Sequence, residues 1–302
     1  MERWETINAV QRMQDYMEEH IYEPMTMSDL AKAAGYSQWH SARIFKELTG
    51  KSPFAYLRAL RLSKAALVLR DEKTRVIDVA FDFVFDSQDG FSRAFSRQFG
   101  ISPQKYRNNP PPIPLFIPYG TRAYHLTFSE GGKVMSKKEN TQTVFVQVVE
   151  RPERKAIIRR GIEATDYFKY CEEVGCDVWG VLSSIKEAMY EPIGMWLPPS
   201  MIESGTSQYV QGVEVPVDYR GEVPEGFEII ELPAGKMMVF QGEPFDDEDF
   251  MDAITDLWEV MKKYDPQIYG FEWADEDNPR FQMAPMGYRG YIEARSVRQI
   301  SG

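Results

Sequence analysis

Trp39 and Arg43 stand four residues apart in a segment whose apolar positions are Ile44, Phe45 and Leu48. A spacing of four puts the first two side chains on one helical face, away from that apolar stripe. Gln38, Ala42 and Lys46 fall on the same outward side. An arginine so placed can donate two parallel hydrogen bonds to guanine N7 and O6, worth about 1–3 kcal/mol of discrimination between bases. The same chemistry recurs about fifty residues later, where Gln88, Asp89, Ser92 and Arg93 lie outside a stripe of Phe91, Phe95 and Phe99. The two segments are a repeat. Asp29, Ala31, Arg43, Phe45, Gly50, Ser52, Pro53 and Tyr56 match Asp78, Ala80, Arg93, Phe95, Gly100, Ser102, Pro103 and Tyr106, with one inserted residue near Asp86.

The elements that must carry these residues are legible in the pattern. Trp4, Ile7, Val10, Met13 and Met17 form a first helical stripe. Thr26 or Ser28 caps a second helix with Leu30, Ala31 and Ala34 inward, and Gly35 permits a left-handed turn into a third, capped by Ser37. Gly50 ends that helix. Ser52 and Pro53 then open a long helix carrying Phe54, Leu57, Leu60, Ala65 and Leu69 inward, which would rigidly join the two repeats.

Charge is divided along the chain. The whole carries −11 over 302 residues. Residues 36–107 hold 13 Lys and Arg against 7 Asp and Glu, whereas residues 141–302 hold 15 against 30. The basic segment suits a polyanion, although the average does not. No apolar run is long enough to cross a bilayer, and Met1 to Glu5 opens no signal-peptide pattern. Cys171 and Cys176 match no zinc spacing; a reducing cytoplasm and packing roles are expected for them.

From Met25 to Arg107 the chain resembles the two-unit DNA-binding domain of the AraC/XylS regulators. Leu30-Ala31 with Gly35-Tyr36-Ser37, Phe45-Lys46 with Gly50, Ser52-Pro53 and Tyr56-Leu57-Arg58 carry the likeness in the first unit. Asp78-Val79-Ala80, Phe95, Phe99-Gly100, Ser102-Pro103 and Tyr106-Arg107 carry it in the second. The resemblance implies seven helices, the third and sixth entering neighbouring major-groove segments. It places base-reading positions on Trp39, Ala42 and Arg43, then on Gln88, Asp89, Ser92 and Arg93. Val84 stands where the family usually has glycine, and a β-branched residue resists positive φ. Asp86 and Asp89 repel phosphates, and Gly90 weakens the second reading helix. The first unit is therefore expected to dominate base discrimination.

Asn108-Asn109 and Pro110 to Pro112 end the helical region. Beyond it, residues 144–150 and 155–160 alternate as strands, and 166–189 have helical spacing. Strands are expected at 194–197, 207–217, 227–232, 236–242, 267–273 and 290–297, with a helix over 246–264 capped by Asp246-Asp247. Strand-strand-helix-strand-strand thus occurs twice. This half resembles the GyrI-like effector-binding domain through Pro152-Glu153-Arg154-Lys155, Tyr209 to Val215, Leu232 to Met237, and Tyr291-Ile292-Glu293. That likeness implies a cleft for a hydrophobic, often cationic, ligand, with Glu293 at the position of a buried glutamate. Arg295 is expected on the opposite face. Trp179, Trp196, Tyr209, Tyr269, Trp273 and Tyr291 can line such a cleft and hold a cation by their ring faces.

The expected architecture is multidomain. An all-α double helix-turn-helix domain spans 1–108, a linker 109–142, and an α+β domain of two pseudo-symmetric strand-strand-helix-strand-strand repeats 143–302. The function expected is a cytoplasmic, ligand-responsive transcription regulator, not an enzyme, without cofactor, metal or membrane contact. Its expected partners are double-stranded promoter DNA, a hydrophobic or cationic small-molecule effector and RNA polymerase. The alternatives are a GyrI-like small-molecule hydrolase, with Glu293 and a tyrosine as base and acid, or a drug-sequestering module.

Overall fold

A computed structural model describes residues 2–122, 143–246 and 249–300. The chain divides into two compact units, Met1–Gly132 and Lys133–Gly302.

The first unit is helical: α1 (Glu2–Glu19), α2 (Met27–Ala34), α3 (Gln38–Thr49), α4 (Pro53–Asp71), α5 (Val76–Asp82), α6 (Gln88–Phe99) and α7 (Pro103–Asn108). Side-chain caps set the starts. The Thr26 hydroxyl accepts the Asp29 N–H while the Asp29 carboxylate accepts that of Thr26, a reciprocal capping box. Ser37 and Ser87 cap α3 and α6 in the same relative place. Two cores result. α1, α2 and α3 close one around Met13, Leu30, Ile44 and Phe45, and α5, α6 and α7 close the other around Val79, Phe91, Phe95 and Tyr106. α4 serves both, giving Tyr56, Leu57 and Leu60 to the first and Leu62, Ala65, Ala66 and Leu69 to the second. Phe54, expected inward on α4, is exposed, because Pro53, Tyr56 and Leu57 already fill the buried side of that turn.

The turns between α2 and α3 and between α5 and α6 share one hydrogen-bond scheme. The Tyr36 and Gly35 N–H groups donate to Ala31 and Lys32 carbonyls; the Phe85 and Val84 N–H groups donate to those of Ala80 and Phe81. Both are Schellman closures, which need a left-handed residue at the turn. Gly35 supplies it at φ 76°, and Val84 supplies it at φ 62°, the one non-glycine residue with positive φ among the described residues. A Cβ in that region costs about 1–2 kcal/mol, partly offset by the entropy a glycine loses on folding. Val84→Gly is therefore expected to stabilise the unit by about 1 kcal/mol; an unchanged or lower midpoint in urea would show that the turn is not strained.

Residues 109–122 do not form a separate linker. Ile113 and Leu115 are buried in the second core, the Phe116 N–H donates to Ser63 Oγ (2.7 Å), and the Thr121 N–H donates to Gln14 Oε1 (2.9 Å). The prolines stop the helix, but the extended chain they produce places apolar side chains in register with gaps between helices. The rest of the expected linker, including Gly131-Gly132 and Lys137-Lys138, lies outside the described residues.

The second unit is one antiparallel sheet with helices. Its elements are β1 (Phe145–Arg151), β2 (Arg154–Arg160), α8 (Tyr167–Val174), α9 (Val178–Ser184), β3 (Ile193–Trp196), β4 (Tyr209–Pro216), β5 (Glu228–Leu232), β6 (Gly235–Gln241), α10 (Phe250–Lys263), β7 (Phe271–Trp273), β8 (Arg280–Met283) and β9 (Ile292–Gln299). The strand order is β1-β6-β9-β8-β3-β4-β2-β5, with β7 also on β9. One sheet face packs under the helices: Ile157, Tyr209 and Val213 meet α8 and α9, while Met238, Phe240 and Val297 meet α10. The other face gathers Ile158, Met195, Val210, Met237 and Ala294 into a core supplied by strands. Three local expectations change. The 166–189 helix is two helices, because Gly175 adopts φ 95° and breaks the run. The last helix begins at Phe250, and Asp247 of its expected cap lies outside the described residues. β8 falls outside the expected strands, since the five residues between Pro279 and Pro285 are too few to show alternation.

Candidate functional site

Two features stand out, one in each unit. In the first unit α3 presents a polar face. Ile44 and Phe45 anchor it in the core, which directs Gln38, Trp39, Arg43 and Lys46 into solvent, with Ala42 half-buried between them. Trp39 is 72% exposed, an unusual state for so large an apolar surface. The Arg43 guanidinium lies 5.3 Å from the Trp39 ring centre. Its other neighbours are His40 Nδ1 at 3.5 Å and Glu47 at 3.8 Å, exposed contacts of little energetic weight. The guanidinium is thus held over an aromatic ring yet open to an incoming acceptor. α6 repeats the arrangement with an acid where α3 has Trp39: Gln88, Asp89 and Arg93 are exposed, Ser92 is half-buried, and Phe91, Phe95 and Phe99 form the buried side. Asp89 stands in the first turn, where an acid suits the helix dipole but opposes a polyphosphate.

In the second unit strand pairing gathers polar and aromatic groups on the helix-covered face. Trp196 on β3 pairs with Tyr209 on β4 and with Arg280 on β8. Gln282, two residues along β8, pairs with Glu293 on β9. Glu293 is fully buried and accepts from three donors: Arg280 Nε, Trp258 Nε1 at 2.7 Å and the Tyr291 hydroxyl at 3.0 Å. The Arg280 guanidinium lies 4.7 Å from the Trp196 ring centre. Gln282 Nε2 donates to the Tyr209 hydroxyl (2.9 Å). A Cβ on Gly194 would lie 2.0 Å from that hydroxyl, so β3 needs glycine where the tyrosine crosses it. Burial holds both the Tyr209 and Tyr291 phenols well above their ordinary range, with Glu293 adding to the effect at Tyr291. Both phenols therefore stay protonated near pH 7, Tyr291 donating to Glu293 and Tyr209 accepting from Gln282.

Above this floor opens a cleft of about 510 Å³. Trp196, Trp258 and Met261 give it apolar walls, and Lys262, Arg280 and Arg295 give it cationic groups. Thr165 and Asp166, at the start of α8, close the far side. Asp166 is occupied: its carboxylate accepts the Phe168 and Lys169 N–H groups and the Thr165 hydroxyl. Arg295 is paired with Asp275 and lies 3.9 Å from the Trp273 ring centre. Glu293 and Arg295 are two residues apart on one strand, so they share a face; the expectation of opposite faces was wrong for that reason. The cleft is concave, with three apolar and five polar or charged side chains around it.

The aromatics expected at the cleft divide. Trp196 lines it, and Tyr209 and Tyr291 lie in its floor with Glu293. Trp273 backs Arg295 without lining the cleft. Trp179, half-buried on α9, and Tyr269, exposed and stacked on Tyr264 at 6.0 Å, do not line it.

Residues 30–109 match a model described as a helix-turn-helix domain. The right origin-binding protein of Escherichia coli K12 is 44% identical over 95 residues, which is 32% of this chain and 33% of that protein. The chain thus spans about a third of the length of that relative. A solved transcriptional regulator of the AraC-type from Chromobacterium violaceum is 28% identical, with TM-score 0.32, covering 34% of this chain and 94% of the other. The regulatory protein SoxS of E. coli K12 is 37% identical over 99 residues, 33% of this chain and 92% of SoxS. The chain belongs to the AraC family.

The AraC-family match ends near residue 109, so it includes the α3 and α6 faces and not the cleft. Within the cleft Trp258, Met261, Lys262 and Arg280 went unread in the sequence. Trp258 and Met261 carried a usable signal, since they continue the Ile254, Leu257 stripe of α10. Arg280 carried none: an arginine between a proline and a phenylalanine reads as a solvated loop charge until β8 is seen beside β9.

Proposed function

We propose that this AraC-family chain is a ligand-responsive transcription regulator. Its first unit grips double-stranded promoter DNA by laying α3 and α6 into adjacent major-groove segments, and its second unit takes a small-molecule effector. The carrying observation is the α3 face: an exposed tryptophan beside an arginine with an open guanidinium, on a helix whose other side is fixed in a core. Arg43 is the principal base-reading group, Trp39 and Ala42 supply apolar contact to thymine methyls, and Gln38 and Lys46 extend the polar face. On α6, Gln88, Asp89, Ser92 and Arg93 form the second, weaker surface. One chain holds two such helices joined through α4, which supports bipartite recognition by a monomer. RNA polymerase is the partner that a promoter-bound regulator addresses.

For the second unit, pseudo-two-fold symmetry supports the effector reading. Exchanging β1, β2, β3 and β4 with β5, β6, β8 and β9 returns the same strand order reversed, with the axis between β8 and β3. The cleft residues Arg280 and Trp196 face each other across that junction. The effector acts by binding two states of the regulator unequally.

The test is fluorescence anisotropy with duplexes selected from a random pool by the full chain. Affinity for the selected duplex is expected to fall about a thousandfold between 50 and 200 mM salt, as phosphate contacts release counterions. A constant that hardly changes with salt would overturn the docking.

A further inference from the structure

Resting on the effector reading of the cleft, we infer that Arg280 makes the site select a flat organic anion, an aromatic carboxylate being the simplest case. The carboxylate would sit on the outer edge of the Arg280 guanidinium and the ring against Trp196 and Trp258.

The inference follows from which hydrogen-bonding capacity in the cleft is used and which is open. Glu293, where a cationic ligand would be expected to find its counter-charge, already holds Arg280 Nε and two further donors. Arg280 also covers the Trp196 ring at 4.7 Å, so both halves of a cation seat, carboxylate and aromatic face, are filled from within the chain. An incoming ammonium would meet the like charge of Arg280 or have to expel it from a fully buried partner. Asp166, the one acid among the described residues that line the cleft, is spent as the cap of α8; in the neighbouring recess Asp275 is spent on Arg295 and Glu276 is exposed.

The open capacity is of the opposite kind. A guanidinium carries five N–H donors in a planar fork, and Arg280 uses Nε alone; its terminal nitrogens take no hydrogen bond among the described residues. Its side chain is 36% exposed, toward the cleft it lines. The terminal edge of a fork anchored at Nε is preset for bidentate carboxylate, because Glu293 fixes the plane. Lys262, exposed on α10 at the cleft wall, has no ion pair among the described residues and adds a second free cation. An unpaired lysine and an open guanidinium edge, with no unfilled acid among the lining residues, fit an aromatic anion between tryptophan walls.

The experiment uses the full chain and three probes of one shape: 2-naphthoate, 2-naphthylmethylammonium and 2-naphthalenemethanol. Binding is measured by calorimetry to wild type, Arg280→Gln, Lys262→Gln and the double variant Arg280→Gln/Glu293→Gln, with circular dichroism confirming the fold of each. Wild type is expected to bind the naphthoate at least tenfold more tightly than the ammonium. Arg280→Gln should reverse that order, since it removes the fork and frees Glu293. Lys262→Gln should weaken the naphthoate a few-fold. The double variant, which removes the charge pair together and spares the fold a lone buried carboxylate, should bind the alcohol and keep only the few-fold preference for the naphthoate that Lys262 supplies. Equal or tighter binding of the ammonium by wild type, or an unchanged ratio in Arg280→Gln, overturns the role of Arg280 while alcohol binding keeps the cleft as a small-molecule site. Absence of binding by all three probes to every variant overturns the effector reading itself, and this inference with it.

Discussion

Arg43→Ala is expected to lower affinity for a selected duplex by roughly 10- to 100-fold, and Arg93→Ala by clearly less. The first figure follows from one bidentate arginine–guanine contact, about 1–3 kcal/mol. The asymmetry follows from the surroundings of the two guanidinium groups. Arg43 lies over Trp39, on a face that also carries Lys46. Arg93 shares its face with Asp89, and its helix contains Gly90, which weakens a helix by about 1 kcal/mol relative to alanine. The turn leading into α6 is also the one that forces Val84 to positive φ. Anisotropy titrations of both variants against the wild-type duplex and a set of single-base changes measure the effect. Relaxed specificity at one base pair for Arg43→Ala is the mark of lost direct reading. A larger loss at Arg93 would reverse the ranking of the two units.

Glu214→Ala is expected to destabilise the second unit by about 3–5 kcal/mol, the range for removing one partner of a buried ion pair. Glu214 and Arg154 have side chains 2% exposed, and Arg151 also contacts the carboxylate. Arg154 Nε donates to Glu214 at 2.7 Å, and its terminal nitrogens donate to the Pro152 and Pro233 carbonyls and to Asn278 Oδ1. This one side chain therefore ties the β1–β2 turn, the β5–β6 turn and the segment leading into β8. Burial draws its guanidinium down to about 10, aided by the neighbouring Arg151, so it is still charged at neutral pH. Without Glu214, two guanidinium groups face a dry interior with no counter-charge. Calorimetry of the full chain and hydrogen exchange over β2 and β4 measure the loss. Replacing the pair together, Arg154→Met with Glu214→Leu, is expected to recover most of it, because desolvating an ion pair offsets much of its attraction. A loss below about 1 kcal/mol for the single variant would mean that solvent reaches the pair.

The same arginine shows how sequence and structure divide the work. Arg154 belongs to the Pro152 to Lys155 segment by which the second half resembles a GyrI-like domain. Neither residue type nor spacing says that it is buried, because its partner is sixty residues away and Asn278 further still.

In the first unit nearly everything that positions the reading face is local. Helix caps, Gly35 and Gly50, the stripes of α3 and α6, and Val84 in a glycine place each depend on residues within a few positions. The chain alone therefore determined the repeat, the outward set Gln38, Trp39, Arg43 and Lys46, and the strained second turn. Two things there needed the fold: that Phe54 is displaced to the surface, and that the proline stretch lays Ile113 and Leu115 into the core. In the second unit the balance reverses. Alternation identified most strands, yet a strand pattern does not state its neighbours, and the cleft exists only because β8 lies between β3 and β9. That placement puts Arg280 against Trp196 and Glu293, and so decides which charge the cleft has left to offer. Local order is written in short-range spacing; the partners of a buried charge are chosen by strand pairing across the whole sheet.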